Sequence, residues 1–217
     1  MRNFWEGNRI WVTTHSDGTK MEGIQSISTS CLANPICEAR RKIEGSVCQK
    51  CYADSLGKMR KSLTKHLVDN MDILSKALLP ERIAALVPIS TVIARIESFG
   101  DVMNVTQARN YIRIIRTHKA TKFGIWSKNL NLWGQAFEAE GKPRNCTYVH
   151  SSAMVDIPDF ILPRWRKYVD HVFTVWSHDI YDANYKGTPS ECAGIRCMNC
   201  LKCYKRGGQF YINERLR

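Results

Sequence analysis

The chain has 217 residues, 44% of them hydrophobic, and a formal net charge of +12 at pH 7. This content supports a full globular core, predicts one α/β domain over residues 1–217, and with 10% aromatics excludes a disordered chain. No stretch reaches the ~20 apolar residues of a membrane span, and the start, Met1-Arg2-Asn3-Phe4-Trp5-Glu6, has no apolar run of signal type.

Ile10–Thr14 and Ile24–Ser28 read as short strands. Residues 24–57 form a cysteine-rich region, and Pro35, Gly45 and polar residues predict a loop between Cys31 and Cys51. Met59, Leu63, Leu67, Leu74 and Leu78 have near-helical spacing over 59–79, a run that Pro80 stops. Strand and helix then alternate. Strands are expected at 91–96, 122–126, 146–149 and 171–176. Helices are expected at 105–117, around Leu130, Trp133 and Phe137, and around Ile161, Trp165 and Tyr168, the last opened by Pro158. Residues 188–217 read as a cysteine-rich tail. This alternation predicts a mainly parallel sheet, an incomplete barrel or an open sheet, with flanking helices and cysteine-rich loops. A complete eightfold barrel needs ~250 residues.

The expected location is the cytoplasm, where thiols stay reduced. Eight of the nine cysteines fall into two sets of four: Cys31, Cys37, Cys48 and Cys51, then Cys192, Cys197, Cys200 and Cys203. Clustered thiols in a reducing compartment point to metal before disulfides. The tail spacing, C-x4-C-x2-C-x2-C, is the style of a [4Fe–4S] site, with zinc as the alternative. Spacing leaves open whether the sets form one site or two. Cys146 stands alone, as a small buried hydrophobe.

The central strands end alike, at Ser98, Ser127, Ser151 and Ser177, and polar residues follow. The carboxyl ends of parallel strands line the ligand crevice. This rim makes His178, Ser177 and Glu97 candidates for catalysis, and Asp101, Lys128 and Asn129 candidates for cofactor binding; His150 is a further rim residue. Helix capping for the serines, and salt bridges from Glu97 and Asp101 to Arg95 or Lys128, are the structural alternatives. No nucleotide-binding glycine loop and no G-x-S-x-G elbow is present.

Ser28-Thr29-Ser30-Cys31, Cys37, Cys48-x2-Cys51-Tyr52-Ala53, the basic helix with Asn70, Arg95-Ile96-Glu97-Ser98-Phe99-Gly100-Asp101 and the terminal cysteines together resemble the phage gene product 88-like proteins. The resemblance covers roughly residues 24–204. It implies a viral or prophage origin, with the host cytoplasm as location, and an iron–sulfur centre. A more distant similarity to radical S-adenosylmethionine enzymes lacks their C-x3-C-x2-C spacing. The expected function is a cluster-dependent enzyme with non-redox chemistry, such as ester hydrolysis of a small-molecule substrate. The alternatives are a nucleic-acid-binding module stapled by a cluster or zinc, with the basic segment 202–211 as its contact, and a radical S-adenosylmethionine-like enzyme.

Overall fold

The computed structural model describes residues 9–192, 194–208 and 210–216. The start at Met1–Glu6, and Gln209 of the basic segment, lie outside the described residues.

In chain order the elements are β1 (Thr13–Thr14), β2 (Gln25–Ile27), α1 (Pro35–Arg41), a 3-10 turn (Val47–Lys50), α2 (Tyr52–Met59), α3 (Lys61–Lys76), α4 (Glu81–Ala84) and β3 (Ile93–Ile96). There follow α5 (Val105–Thr117), β4 (Lys122–Ser127), α6 (Leu130–Glu140), β5 (Cys146–Ser151), α7 (Pro163–Arg166) and β6 (His171–Trp176). The chain closes with α8 (His178–Asn184), α9 (Cys197–Cys200), a 3-10 turn (Lys202–Tyr204) and β7 (Tyr211–Arg215).

The seven strands lie side by side in sequence order in one open sheet. Only the β1–β2 pair is antiparallel. Sequential order with right-handed crossovers puts the helices that connect β2 through β6 on one face, whereas α9, between β6 and β7, lies on the other. Accordingly α3 packs on α5, α5 on α6, and α6 on α7. Under these helices lies the main core, where Phe123 and Ile125 of β4 and Tyr148 of β5 meet Tyr111, Ile112, Trp133 and Phe137. Each such side chain contributes about 1.5–3 kcal/mol on full burial. Gly134 of α6 permits close approach of Trp165, whose ring occupies the place a Cβ would take. The opposite face is covered by the tail. There Tyr204 packs edge-on against Trp126, in a second apolar cluster with Ile24 and Ile93.

Several expectations are corrected. The segment 31–51 contains a helix, α1: Asn34 Oδ1 caps it by accepting from Ile36 N at 2.9 Å, and Pro35 fits its first turn. The helical run over 59–79 is two helices meeting at Arg60, and α3 ends at Lys76, before Pro80. Of Ile10–Thr14 only Thr13–Thr14 pairs as a strand. Trp11 is engaged instead by Asn70 of α3, which accepts from Trp11 N at 2.7 Å and donates to Trp11 O at 2.9 Å. The helix near Trp165 is opened by Pro163, not Pro158. The tail includes β7, which extends the sheet beyond β6.

Candidate functional site

The carboxyl edge is organised by two carboxylates. Glu97 follows β3 with φ of 60°, a left-handed conformation uncommon for a side-chain-bearing residue. The side chain is fully enclosed. Its carboxylate accepts from Thr29 N (3.0 Å), Thr29 Oγ1 (2.8 Å), Gln107 Nε2 (2.9 Å) and Tyr111 OH (2.7 Å). Burial pushes its pKa up to about 7, against the opposing pull of these donors. Glu97 thus ties the exit of β2 to α5 and is not an open rim group.

Asp101 accepts from Arg40 Nη1 (3.0 Å), Lys128 N (3.0 Å), its neighbour Val102 N (2.8 Å) and Ser127 Oγ. Arg40 Nη2 also donates to Asn129 Oδ1 at 2.6 Å. The ion pair of Asp101 is therefore with Arg40, not with Arg95 or the Lys128 ammonium. Arg95 instead stacks over Trp126 at 4.1 Å on the face away from the helices. Lys128 Nζ donates to Ser151 Oγ at 2.9 Å. Among the serines, Ser127 Oγ accepts from Asn129 N at 2.9 Å, while Ser177 makes no side-chain cap.

The first cysteine set surrounds this edge. Cys31 follows β2, Cys37 lies in α1, Cys48 in the 3-10 turn, and Cys51 precedes α2. The Cys31 and Cys51 thiols interact, which lowers the pKa of Cys51 and, with burial, raises that of Cys31. Burial raises Cys37, with Asp101, Glu97 and Cys48 adding to the effect. The Cys48 turn is clipped to the exit of β5, since Val47 N donates to Ala153 O and Val155 N to Gly45 O, both at 3.0 Å.

The second set lies on the sheet face opposite the helices. Cys192, Cys197, Cys200 and Cys203 all line one cavity of about 40 Å³, together with Lys20, Trp126 and Tyr204. Lys20 Nζ donates to Cys192 Sγ at 2.9 Å, and Lys20 O accepts from Cys197 N at 2.8 Å. Burial and the neighbouring sulfurs raise Cys203, and burial raises Cys197. The first set lies at the carboxyl edge and the second on the sheet face opposite the helices, so the two sets do not interleave. All nine cysteines are free thiols, and Cys146 is buried at the start of β5.

Among the described residues, no three His, Cys, Asp or Glu side chains form a group able to hold a single metal ion. The four tail thiols and Lys20 line the same small cavity, and Arg95 lies close enough to lower the Cys197 pKa against its burial.

Ser177 and His178 stand at the exit of β6, three strands from Glu97. At ~4.8 Å per strand this is about 14 Å. The His178 ring binds Leu216 O at 2.9 Å. The three candidate catalytic residues are therefore not brought together. His150, at the β5 exit, has a more specific environment: Nε2 lies 2.9 Å from Asp159 Oδ2, and the buried Nδ1 has no partner among the described residues. Asp159 is held below its usual carboxylate range, since bonds from His150 and Ala153 N outweigh its burial. Sequence reasoning did not pair these two. An Asp nine residues beyond a histidine carries no periodic signal, and only the return of the 152–159 loop joins them.

The fold is an open, sequentially ordered α/β sheet with one group of cysteines near its carboxyl edge and a second lining a cavity on the face opposite the helices. Comparison with protein-family models, curated proteins and solved structures returns no match. No helix among the described residues is long and apolar enough to cross a membrane.

Proposed function

We propose that this chain is a phage-type iron–sulfur protein, with a [4Fe–4S] cluster in the tail set and an enzymatic, cluster-dependent centre in the first set. The observation that carries this reading is the shared cavity of Cys192, Cys197, Cys200 and Cys203, with the Lys20 ammonium on Cys192. The tail spacing, C-x4-C-x2-C-x2-C, favours a cluster over a single zinc ion, which more often takes two well-separated C-x2-C pairs.

The first set lies at the edge where parallel sheets take their ligands. The proposed reaction is non-redox, such as ester hydrolysis. A cluster with one iron free of thiolate would supply a Lewis acid there. Lys128, beside Cys51 and Ser151, would hold an anionic oxygen of the substrate. Asp159 fixes a proton on His150 Nε2 and leaves Nδ1 as the acceptor of a general base. His150 and Asp159 take the roles that the sequence suggests for His178 and Ser177.

The test is anaerobic purification followed by turnover of a p-nitrophenyl ester. The reading expects a brown protein with activity that falls at least ~100-fold in His150→Gln. An intact cluster without turnover removes the hydrolytic part. Colourless, iron-free protein removes the whole.

A further inference from the structure

The edge of the sheet opposite the first cysteine set is strongly cationic. It is built from the segments leading into β4, β5, β6 and β7, namely residues 116–122, 138–146, 163–170 and 205–208. These hold ten Lys and Arg against three Asp and Glu. The three acids leave most of the charge uncompensated. Glu140, at the end of α6, is shared by Arg109, Arg113 and Arg116 of α5, and Asp170 is taken by Lys142. Lys119, Lys122, Arg144, Arg166, Lys167 and Lys205 are all exposed, and none has a carboxylate within 4.0 Å among the described residues.

Two of these cations are held in place by aromatic rings. The Arg166 guanidinium lies 3.9 Å over Phe210, and Lys167 4.9 Å over Tyr168. Stacking fixes a guanidinium while leaving edge N–H groups directed outward, as phosphate recognition requires. The four strand starts span about 14 Å at ~4.8 Å each, so the charges form a row rather than a point. A bilayer-binding surface would place large apolar side chains among the cations. Within the four segments no large hydrophobic residue is exposed; Phe160, Leu162 and Tyr211 are exposed just outside them, which is why the test includes vesicles.

We propose that this edge binds the sugar–phosphate backbone of a nucleic acid, without reading base sequence. The proposal is independent of the cluster reading.

The test is anisotropy of labelled 20-mer oligonucleotides, duplex and single-stranded, with the full chain over a KCl series. Six phosphate contacts predict a slope of log affinity against log salt of about −5 on duplex. The triple variant Lys122→Glu, Lys167→Glu, Lys205→Glu is expected to bind at least tenfold more weakly and to flatten the slope by about 3. The matched control Lys61→Glu, Lys65→Glu, Lys186→Glu, with the same net charge but on other surfaces, is expected to stay within about twofold of the parent. The single variants keep the comparison open if the triple does not fold. Equal losses in both triples would reduce the effect to net charge and overturn the proposal. So would absent oligonucleotide binding, including the case where phosphatidylserine–phosphatidylcholine vesicles bind instead.

Discussion

Lys20 Nζ donates to Cys192 Sγ at 2.9 Å and to Glu214 Oε1 at 2.8 Å, joining positions 172 and 194 residues apart in the chain. Burial alone would lower the Lys20 pKa, but Glu214 and Cys192 outweigh it and raise the pKa, so the ammonium stays charged. Lys20→Met removes the ion pair with Glu214, which costs about 1 kcal/mol. In the proposed holo-protein it also removes a charge-offsetting donor from a ligand sulfur. The expected result is severalfold faster loss of iron to a chelator, read by absorbance. An unchanged rate would separate Lys20 from the tail centre.

Glu97 gives stability a pH dependence of definite sign. Its carboxyl has an ordinary pKa of 4.5 and a folded value of about 7, so between these values the native state holds the proton more firmly than the unfolded chain. Stability therefore falls as pH rises through this window. Glu97→Gln keeps the shape and cannot titrate. Relative to the variant, the parent is expected to lose about 2–3 kcal/mol between pH 5 and pH 8 in urea unfolding. Parallel pH profiles for the two proteins would contradict the account.

Two glycines distinguish the faces of the sheet. A Cβ on Gly134 would overlap the Trp165 ring under α6; on Gly124 it would overlap Trp126 and Tyr204. Both substitutions to alanine are expected to cost about 1–3 kcal/mol as overpacking. Gly124→Ala should additionally loosen the tail, since Tyr204 directly follows Cys203. Alkylation of the tail thiols in the metal-free chain, followed by mass spectrometry, is expected to quicken in Gly124→Ala and not in Gly134→Ala. Equal rates would mean that Tyr204 does not anchor the tail.

The parallel sheet was legible because its strands are buried apolar runs, and the bounds of α5 and β6 agree with the periodicity. What escaped was structure held by polar side chains. Asn34 and Pro35 form a cap and first turn, yet a proline among glycine and polar residues reads as a loop. β7 escaped because Asn213, Glu214 and Arg215 are polar; Asn213 is nonetheless buried and accepts from Trp176 Nε1 at 2.7 Å. The polar rim was legible as strand ends, but its partition was not. The left-handed backbone at Glu97 encloses that carboxylate beneath α5, and Arg40, from a helix not expected, takes Asp101.

The most direct measurement is iron and acid-labile sulfide per chain in anaerobically purified protein, beside a variant with serine at positions 192, 197, 200 and 203. Two four-iron clusters predict about 8 iron and 8 sulfide in the parent and about 4 of each in the variant. Iron-free protein, or zinc in place of iron and sulfide, would contradict the account.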